Sequence, residues 1–191
     1  MNKATLSNKA LVLDIISRSF HQNPSVNDVI KQDHLREKRI EELISYSFDV
    51  CMLFGEVWIS EDRSAAAMIL LSDQKKTTLR SVLLDLRLAI KAIGIRRVLK
   101  VMGREKQIKQ YYTDYSYVYI WFIGVDPDQQ QKGVGSLLLQ QIIKHYSDSS
   151  LPFYLETSVN RNLPWYSSFG FQVYHKIDMG YDLYLLKKAI Q

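Results

Sequence analysis

Nine residues from Tyr117 to Val125, YVYIWFIGV, are apolar and β-prone almost without interruption. Such a run is long enough for a strand, short for a helix and apolar on both faces, so it predicts a strand at the centre of a sheet. Asp126-Pro127 stops it, a polar loop carrying Gly133 and Gly135 follows, and Val134 to Tyr146 then places Leu137, Leu138, Ile142 and Ile143 at helical spacing. A glycine pair at the mouth of a helix leaves several backbone N–H groups unpaired and lets an anion approach them, with the helix dipole adding partial positive charge. The spacing alone is compatible with two readings, a phosphate site and a turn glycine before a helix. It lacks the third glycine of a dinucleotide fingerprint, where Leu138 stands, and no Lys-Ser or Lys-Thr pair follows the glycines as in a P-loop.

The rest of the chain reads as further helices and strands in mixed order. Ser7 to Phe20 is predicted as a helix capped by Ser7 and ended by Asn23-Pro24, and a second helix runs from about Leu35 to Cys51. Glu56 to Ser60 and Ala65 to Ser72 form a hairpin across a polar turn. Thr77 to Ile108 is two helical pieces broken at Gly94, and a connection with Tyr111, Tyr112 and Tyr115 leads to the central strand. Pro152 to Ser158 is a strand, Leu163 to Phe169 a short helix with Pro164 in its first turn and Gly170 at its end, and Phe171 to Ile177 and Tyr181 to Leu186 are a terminal pair of strands. With 191 residues, no repeat and no linker, residues 1–191 are expected to be one domain, with 1–116 the N-terminal half and 117–191 the core.

One cysteine, Cys51, excludes an internal disulfide framework and reads as a small buried hydrophobe. With four scattered histidines it leaves no Cys/His cluster at metal-ligand spacing, so no metal is expected. The longest apolar-rich stretch, Val82 to Ile95, holds Asp85, Arg87 and Lys91, which a bilayer-spanning helix would have to bury. No secretory signal is evident, and a soluble, cytoplasmic protein is the expectation. The net charge of +5 is concentrated: Lys75 to Gln110 carries eleven basic and two acidic residues, a surplus of nine, which leaves the remainder slightly acidic. That pattern admits an anionic partner or one solvated helix face.

Downstream of the glycine loop stands Tyr154-Leu-Glu156-Thr-Ser158-Val-Asn160, followed by Tyr166-Ser-Ser-Phe-Gly170-Phe171. Together with Gln130, Gly133 and Gly135 behind Val125 and Pro127, this order of segments resembles the GNAT superfamily of acetyl-CoA-dependent N-acetyltransferases. The detailed resemblance covers Tyr117 to His175, about a third of the chain. It implies a mixed, mostly antiparallel α/β sheet (α+β mixed) with splayed central strands and flanking helices. It further implies that acetyl-CoA, a cosubstrate, lies against backbone around Ile123, Gly124 and Val125. Its pyrophosphate would meet Gln130, Gln131, Lys132, Gly133, Val134, Gly135 and Ser136, with Asn160 ordering the cofactor amide or the following loop and Asn162 capping the helix.

Tyr166 stands at the position of the superfamily's general acid and would protonate the departing thiolate, a role a phenol suits because it keeps its proton at neutral pH. On residue chemistry alone, Tyr166 reads first as a packed tyrosine at a helix–strand junction with its hydroxyl bonded to backbone. Glu156 interrupts an apolar strand and is the candidate base; its alternative is an outward-facing glutamate. Many members carry an acid on the strand that Ile120 to Val125 occupies here, and this sequence has none. The resemblance places the acceptor, a small-molecule or peptide amine, among Phe20 to Val29, Leu35 to Phe54 and the three tyrosines. An acyl-CoA sensor without activity and a basic surface for nucleic acid or membrane are the competing functions, nucleic acid being the weaker expectation, and a homodimer is an open one.

Overall fold

The computed structural model describes residues 1–189, in which a seven-stranded sheet of order β1-β2-β3-β4-β5-β7-β6 carries helices on both faces. Its strands are β1 (Asn2–Lys3), β2 (Gly55–Ile59), β3 (Ala65–Leu71), β4 (Val118–Val125), β5 (Phe153–Thr157), β6 (Gln172–Asp178) and β7 (Asp182–Lys188). Every neighbouring pair is antiparallel except β4 and β5. The helices are α1 (Lys9–Phe20), α2 (Pro24–Val29), α3 (Arg36–Phe54), α4 (Leu79–Leu88), α5 (Val98–Lys109), α6 (Val134–His145) and α7 (Leu163–Ser168).

Strand β3 shows how two cores share one sheet. Ala66, Met68 and Leu70 face α1 and α3, whose Ile15, Ile16, Ile44 and Phe48 are buried against them. Ala65, Ala67 and Ile69 face the other way, toward Leu138, Leu139 and Ile142 of α6. This is the two-residue period of a strand buried on both sides. Cys51 is fully buried in the first core.

Three local features differ from the sequence reading. Ser7 lies inside a 3-10 turn, Leu6–Asn8, that precedes α1, and the Thr5 N–H is satisfied by Asn8 Oδ1 at 2.9 Å. Asn23-Pro24 opens a helix as well as closing one: Asn23 Oδ1 accepts from the Val26 N–H at 3.1 Å, and Pro24 takes the first helical position, where no N–H is needed. Helix α3 runs on to Phe54 and passes into β2 without a loop. Gly55 makes that junction possible, because a Cβ there would stand 2.1 Å from the Ile69 carbonyl oxygen.

The basic segment folds as two helical pieces. Thr78 and Ser81 cap α4 reciprocally, a π-helical stretch Ala89–Ile93 continues it, and Gly94, at φ 81°, turns the chain toward α5.

Candidate functional site

Strands β4 and β5 are paired only at Val118↔Phe153 and Tyr119↔Tyr154, so beyond Tyr119 they part and leave backbone groups of β4 without a strand partner on that side. A bulge marks the same place. Met68 of β3 opposes Phe122 and Ile69 opposes Ile120, so Trp121 is the extra residue on β4. Before the bulge Val118 and Ile120 face the α6 core; after it Phe122 faces the α1–α3 core, and Ile123 and Val125 pack toward α6.

Into the gap opens a groove of about 980 Å³, lined by Ser19 and Phe20 of α1, by Ile123, Gly124 and Val125, by the loop before α6, and by Asn160 and Tyr166. Helix α1 reaches β4 closely because residue 124 is glycine: a Cβ there would lie 2.9 Å from Ser19 Oγ. Ser19 Oγ donates to the Val125 carbonyl at 2.6 Å, and Arg18 pairs with Asp126 at 2.9 Å and Asp128 at 2.6 Å, which ties α1 to the loop.

The loop reaches α6 through two left-handed residues, Gln131 (φ 64°) and Gly133 (φ 80°). The first backbone bond of the helix runs from Leu137 N–H to the Gly133 carbonyl at 3.0 Å, leaving the N–H groups of Val134, Gly135 and Ser136 outside the helical ladder at the groove wall. The two glycines serve different ends. A Cβ on Gly133 would meet nothing within 4 Å, and the backbone angle is what selects glycine. A Cβ on Gly135 would stand 2.9 Å from Val125 Cγ2, so this glycine sets the packing of α6 on β4. Gln130 and Gln131 line the groove, whereas Lys132 is not among its lining residues and donates to Gln129 Oε1 at 2.7 Å. Asn162 occupies the cap position of α7, but its side chain makes no capping bond.

A second, smaller cavity of about 360 Å³ lies on the other side of the parting strands. Phe20, Asn23, Ile123, Ser158, Asn162 and Tyr166 line both cavities and so mark where they meet. Tyr166 is 6% exposed, and among the described residues its hydroxyl has no hydrogen-bond partner, unlike the backbone-bonded tyrosine that packing alone suggests. Burial raises its phenol above the ordinary tyrosine range, so it is protonated at neutral pH.

Glu156 faces inward and lines the smaller cavity. Tyr119 donates to Oε2 at 2.6 Å and Tyr112 donates to Oε1. Burial raises its pKa above the usual carboxylate value; the two phenol donors pull it back in part, and Glu105 adds to the rise. Both phenols are in turn held well above the ordinary value by burial and by the nearby carboxylate.

The walls of this cavity differ from the expectation. Helices α1 to α3 contribute Phe20, Val26, Val29, Leu43 and Tyr46, as the sequence reading has it, but none of Tyr111, Tyr112 and Tyr115 lines the space. Tyr111 stacks on His175 with ring centres 3.7 Å apart, Tyr112 orients Glu156, and Tyr115 is fully exposed. The aromatic walls are Phe20, Tyr46, Tyr119, Trp121, Phe122 and Tyr166 instead. No sequence signal singled out Tyr46, Tyr119 and Trp121 beyond their place on a helix stripe and on β4. The basic segment contributes Lys75, Arg104 and Lys109 to the lining, balanced by Asp85 and Glu105. Arg104 is fixed by Ser25 Oγ at 2.6 Å and Glu105 at 2.6 Å, and Tyr46 donates to Asp85 at 2.7 Å. His145 lies away from both cavities, with Nε2 3.3 Å from Glu56 Oε2.

Among the described residues no group of three or more His, Cys, Asp or Glu is arranged to hold a metal ion, and no helix is long and apolar enough to cross a membrane. Residues 88–171, which take in α5, β4, α6, β5 and α7, match the family model described as acetyltransferase (GNAT) family. Among solved structures, the chain is similar over 100% of its length to 96% of a histone acetyltransferase HPA2 and related acetyltransferase from Corynebacterium glutamicum, at 16% identity and a TM-score of 0.70. It is similar in the same way to arylalkylamine N-acetyltransferase 2 from Aedes aegypti, covering 100% of this chain and 98% of that one at 15% identity and a TM-score of 0.64. The ribosomal-protein-S18-alanine N-acetyltransferase from Escherichia coli gives 15% identity, 100% and 92% coverage and a TM-score of 0.54. At such identities the likeness is one of fold.

Proposed function

We propose, from the premise that this chain carries a GNAT acetyltransferase domain, that it is a cytoplasmic N-acetyltransferase which moves an acetyl group from acetyl-CoA to the primary amine of a small molecule by direct attack in a ternary complex. One observation carries the reading: two cavities, one bordered by the free edge of β4 and the loop before α6 and one enclosed by helices α1 to α5, meet at Tyr166 where β4 and β5 part.

The larger groove suits acetyl-CoA, which supplies the activated acyl group. The free edge of β4 at Ile123, Gly124 and Val125 offers amide partners to an extended chain, as an added strand would find them. The N–H groups of Gln131, Gly133, Val134, Gly135 and Ser136 would face the pyrophosphate at the positive end of α6. Asn160 borders the same groove. On this reading the thioester lies at the junction, within reach of the Tyr166 hydroxyl.

The acceptor enters the smaller cavity, whose volume of about 360 Å³ suits a compact amine. An alkyl ammonium at neutral pH must lose a proton before its nitrogen can attack. Glu156, ionised, takes that proton, directly or through a water, and its elevated pKa makes it a better base than an exposed carboxylate. A backbone N–H of β4 polarises the carbonyl oxygen. As the new N–C bond forms and the C–S bond breaks, Tyr166 delivers its proton to the sulfur; the proton shed by the acylated nitrogen returns to the phenolate through water, and Glu156 releases its own to solvent.

The test is an amine-panel assay for release of free CoA thiol, with Gly133→Glu as a control whose carboxylate repels the pyrophosphate. The expected result is thiol release with at least one small amine, and loss of acetyl-CoA binding in the control. A wild-type chain that neither binds acetyl-CoA nor gains thermal stability from it overturns the reading, and binding without turnover on any amine leaves the acyl-CoA sensor in its place.

A further inference from the structure

Helices α4 and α5 wall the smaller cavity with one face each, through Asp85 and Leu88 on α4 and Val101, Arg104 and Glu105 on α5. The faces turned away from the cavity are not polar. On α4 and the π-helical stretch that continues it, Leu79, Val82, Leu83, Leu86 and Ile90 follow one another at helical spacing and are 48–79% exposed, and no residue of α4 is buried. Ile95, Leu99 and Met102 continue the pattern into α5 at 61–82% exposure. These eight residues are the majority of the large exposed hydrophobic side chains of the protein, gathered into 24 consecutive positions; single apolar residues on a surface need no explanation, but a stripe does.

The cations of the segment divide into two sets. Arg87 and Lys91 pair with Glu42 of α3, and Lys100 pairs with Asp28 of α2, so these fasten the helices to the body. Lys76, Arg80, Arg96 and Lys106 are exposed and, among the described residues, have no carboxylate partner. An outward apolar stripe bordered by uncompensated cations asks for a surface that accepts hydrocarbon and offers negative charge at its rim. A second copy docking through this face would set two segments of surplus +9 against each other. A nucleic acid would satisfy the cations and leave the eight hydrophobic side chains against phosphate.

We infer that the outer face of α4 and α5 docks on an anionic phospholipid bilayer, with the apolar stripe at the headgroup–acyl boundary and the unpaired cations on lipid phosphates. The inference is independent of acetyl transfer. Docking in this pose seats the smaller cavity directly behind the bound helices.

The test is co-sedimentation of the full chain with phosphatidylcholine vesicles, with and without about one third phosphatidylglycerol, at about 0.1 M and about 0.5 M salt. The wild type should pellet with the anionic vesicles at low salt and largely stay in solution with the neutral ones. Leu83→Glu/Leu86→Glu should weaken binding by roughly tenfold or more, and Arg80→Glu/Arg96→Glu by about fivefold for each cation removed and more for the charge reversed, both keeping the wild-type melting temperature and acetyl-CoA affinity. Equal binding to neutral and anionic vesicles, undiminished binding by the leucine variant, or binding by neither vesicle overturns the proposal. So does a wild-type dimer that the leucine variant converts to monomer, which would make a second copy the occupant, or tighter binding to random-sequence duplex DNA than to vesicles.

Discussion

The two cavities that meet at Tyr166 are built by opposite means. The larger is walled by the loop before α6, the free edge of β4 and close helix approaches at Gly124 and Gly135, and the N–H groups of Val134, Gly135 and Ser136 stand at its wall outside the helical ladder. The smaller is walled by side chains from α1, α2, α3, α4, α5, β4 and β5, three acids and three bases among them. A ligand common to many proteins can be read by backbone, which any sequence supplies once glycines permit the approach. A ligand peculiar to one protein needs side chains, and those can come from anywhere in the chain.

This contrast is breakable, and the largest effect should fall where the cavities join. Tyr166→Phe should lower kcat by about 10²–10⁴ with acetyl-CoA affinity unchanged, read by steady-state kinetics and calorimetry. Normal turnover would remove the proton donor from the junction. Glu156→Gln should cost about 10² in kcat/KM and abolish the acidic limb of its pH profile. The sign follows from the raised carboxyl: the base works only when ionised, so wild-type activity should climb with pH through a midpoint above the usual carboxylate value.

Gly133→Val places a branched residue at φ 80° and should weaken acetyl-CoA binding by roughly tenfold, for a backbone strain of about 1–2 kcal/mol, with acceptor KM unaltered. Smaller effects sharpen the comparison from both sides. Tyr46→Phe removes the bond to Asp85 and should change acceptor KM alone, within about 0.5–1.5 kcal/mol. Lys132→Ala, whose ammonium is bonded to Gln129, should alter acetyl-CoA KM by no more than about 1 kcal/mol; a tenfold rise would show that the groove relies on a side-chain charge after all.

The groove was legible in the sequence because its parts are contiguous. Val125, Pro127, Gln130, Gly133 and Gly135 lie within eleven positions, and each acts through local backbone geometry. The smaller cavity was legible only in outline. The tyrosines at 111, 112 and 115 stand out in the sequence by number, yet of the three Tyr112 alone bears on Glu156, which it holds from outside the space, and Tyr119 shares that task from β4. Trp121 is an extra residue on β4, and a bulge leaves no mark in hydropathy alone. Asn23-Pro24 terminates a helix as readily as it begins one, and burial of Val26 and Ile30 decided that α2 forms.

By itself the sequence determined what short-range physics controls: the apolar run that must be a central strand, the glycines that turn the chain into α6, and the helical spacing that buries Leu138 and Ile142, whereas packing put Leu139 in the core and left Leu137 exposed. Tertiary structure alone decided where β4 and β5 separate, since that depends on the pairing of strands more than thirty residues apart. It also decided the chemistry of Glu156. A glutamate in a strand is an ordinary acid until packing removes its water and sets two phenols against it, and no local pattern records that burial.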